Sequence, residues 1–304
     1  MKTEKATNRS TSIRLSRTDR SFYIVNTVFL VFAFLVVLLP LMNVVAHSLS
    51  SPEAVARGRV WLFPVEVTGF AYEQIMESRQ IITGHYNSLI YASVGTALNV
   101  VLTVMAAYPL SRKGFFGRNA ITFFFAFTMF FNGGMIPRYL IVKSLGLIDS
   151  RWAMILPEAV IIWFVIIART FFQNTIPDDL YDAAEIDGAS DLRIMFRVVI
   201  PLSGPIVAVL CLFYAVGHWN RYFDALIFLK SEDLWNLQLV LRNVMHSAAA
   251  TLDQGNIGAA LRAQERIEVI KYAVIVFAAL PVMILYPFVQ RYFVKGVMIG
   301  SIKG

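Results

Sequence analysis

Residues 177–205 read PDDLYDAAEIDGASDLRIMFRVVIPLSGP, a polar and acidic stretch set between two long apolar runs. Pro177 followed by Asp178 and Asp179 suits the first turn of a helix: the missing proline N–H costs nothing there, and carboxylates meet the positive end of the helix dipole. Thr175 is placed to cap it. Leu180, Ala183, Ala184 and Asp187 follow at helical spacing, and Gly188 stops the helix by taking the left-handed conformation cheaply. A second helix is expected from Ser190-Asp191, with Leu192, Met195, Phe196 and Val199 as its apolar stripe. Pro201 and Pro205 mark entry into the next apolar run. The pattern predicts helix, glycine turn, helix.

Outward from this stretch the chain reads as membrane. Of its 304 residues 57% are hydrophobic and 15% charged, and the mean hydropathy is +0.62; soluble domains carry about 25% charged residues. No Lys, Arg, Asp or Glu occurs in Ser21–Pro52, Gln80–Ser111, Asn119–Pro137, Val198–Asn220 or Tyr272–Gln290, and Trp152–Ala168 is broken only by Glu158. About 20 apolar residues cross a bilayer. The expectation is an all-α integral membrane protein with six spans, near 22–46, 87–111, 120–137, 152–172, 201–226 and 270–290. The first run is too long for a cleaved signal and is read as a retained span. Soluble cores rarely repeat runs of this length.

Basic residues orient the spans. The tail 1–21, the loop 112–118, the stretch 169–197 and the chain end carry 15 Lys and Arg, against 10 on the longer loops of the other side. The bias puts both termini and the 177–205 stretch in the cytoplasm. The tail 1–21 reads as disordered or resting on anionic lipid. The net charge of +7 reflects this bias and lipid contact; no basic face interleaved with aromatics points to nucleic acid. An amphipathic helix lying on anionic lipid favours Lys and Arg. This one carries Asp178, Asp179, Asp182, Glu185, Asp187 and Asp191, which suits a basic protein partner instead.

On the other side, helices are expected at Gly69–Ser78 and after Pro137. Asn132-Gly133-Gly134 permits a break. Glu158 is costly in a span: it is either a solvated, cavity-facing structural group or part of a solute path. His218-Trp219-Asn220-Arg221-Tyr222-Phe223-Asp224 cannot face lipid. It is either an interfacial Trp/Tyr girdle with an Arg–Asp pair or a path in which rings stack on, and polar groups bond to, a polyhydroxylated solute. The candidate path residues are Trp219, Asn220, Arg221, Tyr222, Asp224 and Glu158. Cys211 is the one cysteine and the four histidines are scattered, so neither a disulfide within the chain nor a metal site is expected. No Gly-rich lysine loop binds a nucleotide here.

The opening stretch resembles the coupling loop of binding-protein-dependent ABC importer permeases: Glu-Ala-Ala, three residues, Gly, nine residues, Ile, one residue, Leu-Pro. Here the positions read Asp182-Ala183-Ala184, Gly188, Val198, Ile200 and Pro201, with Asp for Glu, Val for Ile and Ile for Leu. Asn87-Ser88, Ala107 to Arg112, Leu145 to Ser150, Trp219-Asn220 and Lys295-Gly296 to Lys303-Gly304 are similar to the carbohydrate, maltose-permease-like branch. The resemblance implies a tail 1–21, a transmembrane domain 22–290 with a coupling loop at 174–200, and a tail 291–304. It implies ATPase coupling through Asp182, Ala183, Ala184, Glu185, Gly188 and Pro201. It also implies a second permease, two ATPases that hold the ATP and magnesium, an extracellular binding protein, an oligosaccharide substrate and the bacterial cytoplasmic membrane. No cofactor is expected on this chain. A permease for a non-sugar solute is the alternative. A secondary transporter would usually carry more intramembrane charge and inverted repeats, and a membrane enzyme would show HExxH, GxSxG or paired catalytic carboxylates.

Overall fold

The uncharged runs become helices, and the computed structural model describes residues 16–250 and 257–301 of the chain. All regular elements among the described residues are helical: α1 (Arg17–Ser48), α2 (Pro52–Ala56), α3 (Phe70–Glu77), α4 (Arg79–Ser111), α5 (Arg118–Phe130), α6 (Met135–Ser144), α7 (Trp152–Ile155), α8 (Ile162–Thr175), α9 (Asp178–Ile186), α10 (Asp191–Ile194), α11 (Ile200–Leu202), α12 (Gly204–Trp219), α13 (Tyr222–Phe228), α14 (Leu237–Ala250) and α15 (Ile257–Ser301). A π-turn, Met195–Val199, joins α10 to α11, and a 3₁₀ turn, Glu232–Leu234, precedes α14. Most of the N-terminal tail lies outside the described residues. The C-terminal stretch expected as a tail continues α15 as far as Ser301.

Six spans were the expectation; among the described residues the apolar runs are helical as expected, and several of them are interrupted. Among the described residues α1, α4 and α15 are each long and apolar enough to cross a membrane, while α5 with α6 and α10–α11 with α12 reach that length only as pairs bent by 113° and 84°. Each interruption has a local cause. At 131–134 Phe131 is extended, Gly134 takes φ +78°, and its N–H is captured by Asn132 Oδ1 at 3.0 Å. At 203–204 Ser203 leaves helical geometry with ψ 18°, and Pro205 cannot supply the N–H that would continue α11. Over 156–161 the expected fourth span is open backbone beginning at Pro157. After Trp219 the chain turns at Arg221, with ψ 64°. Hydropathy saw these stretches as continuous because none of the breaks introduces enough charge.

α4 is the central helix and packs against α12, α8 and α14, while α1 lies along α15. One core, with Phe172, Tyr181, Met195, Leu210 and Tyr214, joins the C-terminal half of α4 to α8, α9 and α12. A second, with Ile75, Trp219, Leu237, Val269 and Val274, joins the N-terminal half of α4 to α3, α14 and α15. α1 exposes apolar side chains from Phe22 to Leu41, a surface suited to hydrocarbon.

Candidate functional site

Two groups of residues lie at either end of α8. At its C-terminal end, α9 starts at Pro177, with no side-chain cap; Thr175 belongs to α8 and does not cap α9. Gly188 takes φ +71°. Its N–H donates to Glu185 O at 3.0 Å, and that of Ala189 to Ala184 O at 3.0 Å, the paired closure that a left-handed glycine permits after a helix. Tyr181 is buried, and Ala184 packs on the core. Asp182, Ala183, Glu185, Asp187, Gly188 and Pro201 are exposed. Ile186 is 87% exposed on this acidic surface, outside the chain's own core.

The expected stripe of the second helix is split. Met195 and Val199 are buried, but Leu192 and Phe196 are exposed. Ile194 is buried with Met195, so the core meets α10 on the side away from Leu192, and the wider winding of the π-turn keeps Val199 on the buried face while Phe196 turns out. The loop is fastened to the end of α4. Arg112 Nη2 meets Glu185 Oε1 at 2.5 Å, and its guanidinium lies 3.8 Å above the Tyr181 ring. Lys113 Nζ meets Asp178 Oδ2 at 2.5 Å. Glu185 therefore has a partner within the chain, and Asp182 stands free of ion pairs among the described residues.

At the N-terminal end of α8, three of the breaks bring four charges together. Arg138, just past the α5–α6 bend, reaches Glu158 Oε1 at 3.0 Å and Asp224 Oδ2 at 2.6 Å. Arg221 reaches Glu158 Oε2 at 2.6 Å and Asp224 Oδ2 at 3.6 Å. Each carboxylate sits between both guanidiniums, so the ring is neutral and each charge is paired, as a low-dielectric site demands. The ring is lopsided: the Asp224 side chain is 7% exposed and that of Glu158 39%. Arg138 and Glu158 line a cavity of 720 Å³ with Asn132, Pro137, Leu156 and Phe223.

The open backbone that carries Glu158 is held by polar side chains of α4 and α12. Asn99 donates to Glu158 O at 3.3 Å, and Tyr214 Oη accepts from Ile161 N at 3.3 Å. Thr103 Oγ1 lies 2.6 Å from Tyr214 Oη, and Asn99 Nδ2 lies 3.1 Å from His218 Nε2. Non-helical backbone at membrane depth needs such partners. α4 and α12 approach closely because position 95 is glycine: a Cβ there would lie 2.4 Å from His218 Nε2.

The sequence-derived path residues do not share one environment. Glu158, Arg221 and Asp224 meet in the ring. Trp219 is buried, with Nε1 donating to Ala278 O at 3.0 Å and its ring against His85. Asn220 is exposed and bonds back to Val216 O at 3.0 Å. Tyr222 is exposed. Sequence reading missed Arg138, which counted only as a loop cation, because its partners depend on the bend. It also missed the Asn99–Tyr214 support. Asn87 and Ser88 prove to be anchors for the 233–237 backbone: Asn87 donates to Asp233 O at 2.7 Å and Trp235 O at 3.0 Å, and Ser88 Oγ accepts from Leu237 N at 2.9 Å. Among the described residues no group of three or more His, Cys, Asp or Glu is placed to hold a metal.

Apolar helices of membrane-crossing length, some of them broken, pack around a central α4, with an acidic helix–turn–helix beyond them. The family model described as "Binding-protein-dependent transport system inner membrane component" matches residues 12–299, and the chain belongs to that family. It is 42% identical over 277 residues, 91% of this chain and 96% of the relative, to the polygalacturonan/rhamnogalacturonan transport system permease protein YtcP of Bacillus subtilis (strain 168). It is 38% identical to Protein LplC of the same organism, over 95% of this chain and 97% of that one. A crystal structure of a bacterial ABC transporter involved in the import of the acidic polysaccharide alginate contains a chain similar to this one, with a TM-score of 0.84 and 36% identity, covering 93% of this chain and 100% of that chain. The chain is thus a transport subunit of a multi-pass membrane family and not an enzyme; in such importers ATP is hydrolysed on a separate subunit.

Proposed function

We propose that this chain is one of two related permeases of an ATP-driven importer in the bacterial cytoplasmic membrane, taking an oligosaccharide from an extracellular binding protein. It crosses the membrane six times, three of the crossings being broken helices, and both termini face the cytoplasm. Residues 1–21 and 291–304 are tails around a transmembrane domain, 22–290. Two ATPases dock on the loops, this chain contributing 174–200 with Asp182, Ala183, Ala184, Glu185 and Gly188, and Pro201 beyond it. ATP and magnesium stay on the ATPases. The observation that carries this reading is the helix–glycine–helix projecting Ile186 and Asp182 into solvent beside the anchored Glu185.

ATP-driven closure of the ATPases rocks α9, and the Arg112–Glu185 and Lys113–Asp178 pairs pass that motion to α4. α4 holds the Glu158 backbone through Asn99 and packs on α12 through Gly95, so movement at one end reaches the charge ring at the other. There Glu158, Arg221, Asp224 and Arg138 edge the solute path, with Asn220 and Tyr222 beside it. Trp219 contributes by fixing the turn that presents Asn220 and Arg221. A uronate-containing oligosaccharide is the favoured cargo: the names of two similar proteins specify pectic or alginate polysaccharide, and the Arg138 guanidinium faces the cavity.

Deleting the gene tests this. Uptake of labelled oligogalacturonate should stop and return when the chain is restored, and ATP depletion should abolish it. Undiminished uptake of acidic and neutral oligosaccharides in the deletion strain would refute the reading, as would uptake driven by a proton gradient without ATP.

A further inference from the structure

We propose that a pocket beneath α9 binds a phosphate group, offered by an anionic lipid headgroup or by free phosphate. The pocket measures 270 Å³ and lies between the 112–118 turn, the end of α8 and the start of α9. Arg112, Lys113 and Arg118 line it, against the single carboxylate of Asp178. Asp178 is already paired with Lys113, and Arg112 with Glu185. Among the described residues Arg118 meets only a backbone carbonyl, that of Arg112, at 3.4 Å, and it lies near enough to Arg169 for the two cations to repel. An excess of positive charge is therefore left facing the pocket.

The second observation is Tyr181. It is 4% exposed and lines the same pocket, and among the described residues its hydroxyl makes no hydrogen bond of good geometry, with Ser111 and Arg112 only loosely beside it. A buried phenol without a well-placed partner costs free energy. Burial also raises its pKa, more than the nearby Arg112 lowers it, so at neutral pH it is an O–H donor. Guanidinium, ammonium and phenol together match the acceptor oxygens of a phosphate. Gln173 adds an amide at the rim.

The surroundings favour a lipid as the source. Arg118 opens α5, whose N-cap Gly117 supplies no side chain, and that end of the helix favours an anion. Further along α5, Phe123, Phe124 and Phe127 are exposed. The acyl chains of a lipid bound at this end of α5 would reach that apolar surface by passing around the side of the helix. Which leaflet supplies the lipid depends on the orientation given above; the phosphate chemistry does not. A lipid held here would brace the same Arg112–Tyr181 contact that fastens the loop to α4.

The test uses the whole complex, purified from cells and exchanged into nanodiscs of phosphatidylcholine with or without phosphatidylglycerol. Retained lipid is counted by native mass spectrometry, so the readout stands apart from transport. R118Q should retain phosphatidylglycerol about fivefold less, the equivalent of the ~1 kcal/mol that one basic residue contributes near an anionic surface. Y181F keeps the ring under Arg112 and should also lower retention; R118K should restore most of it. In detergent, inorganic phosphate is the second probe. Protection of Arg118 from a guanidine-modifying reagent by phosphate, without lipid retention, would support the site with free phosphate as its source. Equal lipid retention by wild type, R118Q and Y181F, together with no phosphate protection, would overturn the proposal. So would a structure of the complex showing an acidic side chain of the ATPase seated against Arg118 and Tyr181.

Discussion

Replacing Asp224 by Asn leaves two guanidiniums competing for one carboxylate. Arg138 Nη2 lies 2.6 Å from Asp224 Oδ2 and Arg221 Nε 3.6 Å. At an effective dielectric of ~20 the closer contact alone is worth roughly 6 kcal/mol of gross attraction, most of it offset by desolvation. Removing one member of a buried pair typically costs about 3–5 kcal/mol. With Asp224 buried and Glu158 still bridging both arginines, D224N should cost about 3 kcal/mol. E158Q should cost about 1 kcal/mol, because Glu158 is 39% exposed and water replaces part of what is lost. The assay is thermal unfolding of the purified complex followed by tryptophan fluorescence. D224N should lower the apparent midpoint by about 6 °C, and E158Q by about a third of that. In uptake the order should reverse, with E158Q impairing transport more than its stability loss explains. If E158Q destabilises as much as D224N, the ring is not organised around a buried Asp224.

Other consequences follow from the packing. G95A drives a methyl into the His218 ring and should destabilise by about 1–3 kcal/mol; pairing it with H218A should recover much of the loss in the same unfolding assay. W219A empties a buried site and forfeits the bond to Ala278, so assembly itself should suffer, by about 3–5 kcal/mol; a fully stable W219A complex would argue against its burial. Y214F leaves Ile161 N–H without its partner, at about 1 kcal/mol, and should raise hydrogen exchange over 158–162. The Asp149 carboxylate is held below its ordinary pKa by the Ser231 hydroxyl first, then by the Ser231 and Lys230 amides. A lowered folded pKa means that this loop clasp is intact above the ordinary carboxylate range and is lost as pH falls through the lowered value. Exchange at residues 230–231, corrected for the intrinsic rate, should therefore rise only once the pH falls below the ordinary carboxylate range, and D149N should show the fast rate at neutral pH.

The glycine turn at 188, both loop helices and the helix over 70–77 were legible in the sequence because each rests on local chemistry: a left-handed glycine, an acidic first turn, a short amphipathic period. The breaks were less legible. Pro157 and the 132–134 glycines signal that a helix can stop, but not that the chain turns by 113° and delivers Arg138 to Glu158. Nothing local links Asn99 to a carbonyl 59 residues away. Trp219 looked like a stacking surface since Asn220 and Arg221 follow it, yet one residue of helical rotation separates buried Trp219 from exposed Asn220. Phe196 was mis-phased by assuming an α period where the chain makes a π-turn, and Leu192 because the core meets the helix on the side of Ile194.

Gly188 offers the most direct test of the central claim, that 174–200 is where this permease is driven. Apart from its two chain neighbours, no described residue comes within 4 Å of where a Cβ at Gly188 would lie, and φ is +71°. Gly188→Trp therefore adds strain of about 1–2 kcal/mol and otherwise disturbs only what docks from outside. Retention of the ATPase by affinity-tagged complex, with uptake measured in parallel, is the measurement. The account predicts that G188W keeps a folded, membrane-inserted permease and loses the ATPase or uncouples ATP hydrolysis from uptake. Full retention of the ATPase with normal uptake would contradict it.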